Sequence, residues 1–135
     1  VADPDQTGTP PERLPPGIPM IRNIAMPADA NANGDIFGGW IMSQMDLAAG
    51  NLAARAAKGR CVTVSVDAMS FIRPVHIGDD VSVYATLLST GRTSMRINVE
   101  AWRCARGTAE EARVTKATFT FVAIDSNGRP RPITA

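Results

Sequence analysis

One stretch of helical period is followed by four stretches of strand period with short links between them, and this order limits what the chain can fold into. From Gly38 or Gly39 to about Ala57, the apolar residues Ile41, Met45, Ala48 and Leu52 recur at spacings of three and four and form one stripe. Lys58 and Gly59 follow, a basic residue and then a glycine, where a helix is expected to stop. Residues 60–71 (RCVTVSVDAMSF) alternate, with Val62, Val64 and Val66 set against Thr63, Ser65 and Asp67. Residues 81–89, 94–105 and 112–124 read as three more strands, the first two joined by a tight turn on Gly91. Ahead of the helix, residues 18–26 (IPMIRNIAM) form a first strand, with Pro19 near its start, where a proline is tolerated. Hairpin-sized connections between successive strands predict an antiparallel five-stranded sheet. One apolar helix facing it makes an α+β layer arrangement.

A length of 135 residues predicts one domain. Residues 1–17 hold many prolines and almost nothing apolar, so they read as a disordered arm, with the domain at residues 18–135. The net charge of +1 gives no electrostatic footprint for nucleic acid. No apolar run reaches the length of a membrane span, and no basic segment leads into an apolar one at the N-terminus. Cys61 and Cys104 are far apart and lack metal spacing; they are expected to be reduced strand residues of a cytoplasmic protein.

Chemistry points to residues 29–50, DANANGDIFGGWIMSQMDLAAG. Asp46 sits inside the helical run, and its neighbours at three and four residues (Met42, Ser43, Ala49 and Gly50) are all uncharged. No intrahelical ion pair explains it. Ala49 and Gly50 are small and are expected to leave open space beside its carboxylate. A solvated helix acid is the plain alternative. Gly38 and Gly39 open the helix, where backbone N–H groups lack partners and the helix dipole is positive. A carbonyl oxygen gaining charge is stabilised there, as in an oxyanion hole. A water activated by Asp46, or Asp46 itself, would then attack a thioester or ester. Asp29, Asn31, Asn33 and Gly34 mimic a calcium loop, but Trp40 stands where its bidentate Glu belongs. His76 is the single histidine and lies away from any nucleophile motif, so it reads as a surface residue. Among the arginines, Arg92 beside Thr93 and Ser94 is the preferred phosphate contact.

The blocks MPADANANGDIFGGWIMSQMD, SFIRPVHIGD, VEAWR and FVAIDSNGRPRP closely resemble the hotdog-fold acyl-CoA thioesterases of the YciA type, over about residues 21–132. The resemblance implies a sheet wrapped around the central helix and a dimer, the active unit, whose sheets join edge to edge. It further implies a trimer of dimers. It places the base or nucleophile at Asp46 and the polarising N–H at the glycine pair, with Gly39 preferred, on opposite subunits. It assigns Asn31, Asn33 and Asp35 to shaping the pocket beside Gly38. It implies no metal and no bound cofactor, coenzyme A being part of the substrate. A non-catalytic acyl-CoA sensor on the same fold is the alternative function. A hotdog dehydratase is disfavoured because His76 is misplaced for it.

Overall fold

The computed structural model describes residues 12–133. Its elements are β1 (Ile21–Ile24), a short 3-10 turn (Pro27–Asp29), α1 (Gly38–Ala57), β2 (Cys61–Val66), β3 (Asp80–Thr90), β4 (Ser94–Cys104) and β5 (Glu111–Ala123). All pairings are antiparallel, and the sheet order is β1-β3-β4-β5-β2. The helix packs against β2, β3, β4 and β5, so the sheet curls around it on one side. This is the α+β arrangement the sequence predicts. No helix among the described residues is long and apolar enough to cross a membrane.

The helix sits close to the sheet because its inner face is small. Ile41, Met45, Ala48, Ala49, Ala53 and Ala57 are buried there. Leu52, expected in the stripe, only packs at the edge of the core. A period of 3.6 residues drifts the buried face from Ala48 through Ala49 to Ala53, and alanines carry it. Gly50 does not open space beside Asp46, contrary to expectation; a Cβ there would lie 3.5 Å from the Phe121 ring. The sheet answers with Val81, Val83, Met95, Ile97, Val99, Phe119 and Phe121, all buried. Phe119 and Phe121 lie one above the other on β5, ring centres 6.5 Å apart.

Three elements differ from expectation. β1 is only four residues long, because Pro19 lacks an N–H and Pro27 opens the 3-10 turn. The helix ends with Lys58, not Gly59, in the left-handed conformation, its N–H bonded to the carbonyl of Ala54. β2 is shorter than expected, and its alternation does not give a core face. A bulge between Thr63 and Ser65 breaks the register, and Val62, Val64 and Val66 are all exposed on an edge strand. Of the expected N-terminal arm, residues 1–11 lie outside the described residues. Glu12 within it is fixed to the domain, its carboxylate 2.7 Å from the Arg73 guanidinium.

Met45 is fully buried between helix and sheet. Met45→Ala should lower the urea midpoint by the equivalent of about 2–5 kcal/mol with an unchanged denaturant slope.

Candidate active site

The loop before the helix is closed by its own side chains. The Asn31 carboxamide oxygen accepts the N–H groups of Asn33 (2.9 Å) and Asp35 (3.1 Å). The Asn31 N–H donates to the Asp35 carbonyl at 2.8 Å, and Gly34 turns the chain at φ +87°. Asn31 and Asp35 thus spend their polar groups on the loop and its neighbours. The Asp35 carboxylate lies 3.5 Å from His76 Nε2, so the histidine read as a plain surface residue borders this loop. Asn33 is exposed on its turn.

Phe37 N–H donates to the Asp29 carbonyl at 3.0 Å, and the helix starts at the next residue. No side chain caps it. The first intrahelical bonds run from Trp40 and Ile41 to the Phe37 carbonyl. The N–H groups of Gly38 and Gly39 therefore have no intrahelical acceptor. The two glycines play different parts. At Gly38 a Cβ would sit 3.3 Å from the Phe71 ring; at Gly39 it would meet nothing within 4 Å. Gly38 admits a neighbour from its own chain, whereas Gly39 leaves its backbone open to approach.

Asp46 lies on the exposed side of the helix, at the wall of a cavity of about 270 Å³. Met42, Ser43, Thr63, Val66 and Phe119 line the rest. The Thr63 hydroxyl donates to Asp46 Oδ1 at 2.6 Å. The acid is thus not unpartnered: β2 supplies a donor that the helix does not. Among the described residues, Asp46 Oδ2 has no protein donor. The bulge is what brings Thr63 and Val66 to one wall. Thr63 pairs with Phe121 and Val66 with Phe119, two inward positions, while Ser65 between them pairs with outward Thr120. One wall of the cavity is therefore a hydrogen-bonded carboxylate, and the others are thioether, valine and phenylalanine.

Thr63 is the site residue that sequence reasoning missed. It lies 17 positions from Asp46, and only the docking of β2 on the helix brings them together. Cys61, nearby on β2, is no competing nucleophile. Burial pushes its thiol up, only partly opposed by the Arg131 guanidinium, which disfavours the thiolate. Arg92, Thr93 and Ser94 do not reach the cavity within one chain. Their turn joins β3 to β4 near the C-terminal end of the helix, where Ile133 and Ala123 donate to the Arg92 and Thr93 carbonyls at 2.8 Å each. No cluster of histidine, cysteine or acidic side chains among the described residues has the arrangement of a metal site.

Known proteins share this architecture. Residues 33–110 match the family described as Thioesterase superfamily. The acyl-CoA thioester hydrolase YciA of Salmonella typhimurium is 47% identical over 125 residues, covering 90% of this chain and 94% of its own. A hexameric thioesterase from Yersinia pestis superposes with a TM-score of 0.85 at 49% identity, covering 90% of this chain and 99% of the other. A hexameric broad specificity acyl-coenzyme A thioesterase, solved as an Asp-to-Ala mutant enzyme, superposes at 0.83 with 50% identity over 88% of each chain. With a single helix in a curled five-stranded sheet and sequence identity near one half over most of its length, this chain belongs to the thioesterase superfamily as a hotdog-fold member.

Proposed function

We propose that the chain hydrolyses acyl-CoA to free coenzyme A and a carboxylic acid, as its similar relatives are named to do. The observation that carries this reading is Asp46, held by the Thr63 hydroxyl at the wall of an apolar-sided cavity. Thr63 fixes Oδ1 and leaves Oδ2 to act. As a general base, Oδ2 takes a proton from water while the water oxygen attacks the thioester carbon. As a nucleophile, Asp46 attacks and forms a mixed anhydride, which water then cleaves. In either route the carbonyl oxygen gains negative charge, and the Gly39 N–H at the positive helix end stabilises it. The C–S bond breaks and the coenzyme A thiolate takes up a proton. Coenzyme A is part of the substrate, and the route uses no other cofactor.

The Gly39 that serves a given Asp46 belongs, in this reading, to a second subunit. The two are seven helical positions apart within one chain, about 10 Å along the axis. Met42 and Ser43 stand between them on the cavity wall. The β2 edge offers the means of assembly. Val62, Val64 and Val66 are exposed along an edge that no described strand pairs, and Leu47 of the adjacent helix is 61% exposed. An exposed apolar edge strand is a template for pairing with another chain. Pairing two such edges gives the dimer as active unit, and the hexamers of the relatives suggest three dimers together. Arg92, with Thr93 and Ser94, remains the proposed contact for coenzyme A phosphates, reached from a neighbouring subunit.

A panel of acyl-CoAs, with released thiol measured colorimetrically, tests the activity. Turnover is expected, and tight binding without thiol release on every chain length would convert the reading to a sensor. Asp46→Asn should lower kcat by about 10²–10⁴-fold while the melting temperature holds. Thr63→Val should reduce kcat about tenfold and leave KM close to wild type, since it removes one hydrogen bond to a charged group. Val64→Lys places a charge on the β2 edge; sedimentation should show monomers, and activity should disappear with the dimer although Asp46 and Gly39 are intact.

A further inference from the structure

Glu12 stands ahead of β1, in a segment outside the cavity, yet its carboxylate is among the best-held groups of the molecule. Oε1 accepts from Arg73 Nη1 at 2.7 Å, and Oε2 accepts from Arg113 Nη2 at 3.0 Å. The same Arg73 Nη1 donates to the Arg113 carbonyl at 2.7 Å. Only 14% of the Glu12 side chain and 8% of the Arg73 side chain are exposed. Both guanidinium groups are largely withdrawn from water, and although Arg113 also lies 4.0 Å from the Glu100 carboxylate, Glu12 is the carboxylate that the two share, so removing it weakens the charge balance of the pair.

Arg73 lies in the link between β2 and β3, and this link touches the helix start at two points. Two residues before Arg73, the Phe71 ring packs against Gly38, 3.3 Å from where a Cβ would be. Two residues after it, the Val75 carbonyl accepts the Ile36 N–H at 2.9 Å, and His76 bridges to Asp35. Ile72 N–H donates to the Val114 carbonyl at 2.9 Å, which ties the link to β5. Pro74 follows Arg73 directly, and its ring stiffens the backbone on both sides. A displacement of Arg73 therefore passes to Phe71 and Val75, and from them to Gly38 and Ile36.

We propose that Glu12 is a positioning residue for thioester hydrolysis: its carboxylate locks Arg73, and through the 71–75 link it holds the helix start at Gly38 and Gly39. This rests on the hydrolase reading above. It gives the segment ahead of β1 a task in the reaction, although none of its described residues lines the cavity. Displacing a polarising N–H by a fraction of an ångström affects the transition state more than substrate binding.

Glu12→Ala, Glu12→Gln and Glu12→Asp in the full chain test the proposal, assayed well below their melting temperatures. Glu12→Ala and Glu12→Gln should lower kcat about tenfold or more with KM nearly unchanged, and Glu12→Asp should keep most of the activity. Backbone amide exchange at residues 36–41 should speed up in the first two variants and not in the third. A Glu12→Ala protein that melts earlier but keeps wild-type kcat and wild-type exchange at residues 36–41 would overturn the proposal. So would wild-type behaviour of Glu12→Gln, which keeps the shape and loses the charge. Should the wild-type chain turn over no acyl-CoA, the hydrolase reading fails by itself, and exchange at residues 36–41 still decides whether Glu12 holds the helix start.

Discussion

The close approach of one helix to one sheet sets everything else in this molecule. It depends on side chains that are nearly absent: Ala48, Ala49, Ala53 and Ala57 on the buried face, and Gly50 against the Phe121 ring. Each alanine forgoes the apolar area of a leucine, yet the approach keeps Met45, Phe119 and the β-branched residues of the sheet almost wholly out of water. The same approach brings β2 within reach of the helix's outer flank. A 2.6 Å hydrogen bond from Thr63 to Asp46 tolerates little variation in that spacing. Core packing and site geometry are thus one constraint seen from two sides of the helix.

Much of this was legible in the chain itself. Helical period and a following Lys-Gly pair placed α1, and alternation placed β3, β4 and β5, because these signals are local. Asp46 stood out because nothing on its own helix explained it, and Gly38 and Gly39 because they begin that helix. What stayed hidden was non-local. The bulge in β2 has no marker in CVTVSV, since it arises from pairing with β5. Thr63 looked like any outward residue of an alternating strand, and only the docking of β2 on the helix sets it against Asp46. Gly50 was misread as space because its real neighbour, Phe121, lies 71 positions away. Glu12 was read as part of a loose arm because composition carries no information about two arginines far along the chain.

The fold leaves some of its apolar surface uncovered in a systematic way. Val62, Val64 and Val66 are all exposed along β2, and Met42 and Leu47 are exposed on the helix beside them. A monomer gains nothing from that row, whereas a second chain against it would bury apolar surface and satisfy an open strand edge together. The cavity at Asp46 borders the same edge, so closing the edge would also narrow access to the acid and exclude water from it. Low local polarity strengthens each charge interaction there.

The bulge at Thr63–Ser65 separates what the scaffold keeps from what it can change. In a strand of period two, Thr63 and Val66 would face opposite sides; the extra residue sets both on the cavity wall. A chain shortened by the single residue Val64 would still pair β2 with β5 and still cover the helix. Thr63, Ser65 and Val66 would then alternate regularly, with Thr63 still opposite Phe121 and Val66 still opposite Phe119. The extra residue is thus an insertion that the sheet absorbs, and a lineage on this scaffold could gain or lose it while Thr63 and Val66 kept their side of the strand and the architecture passed unaltered from ancestor to descendant.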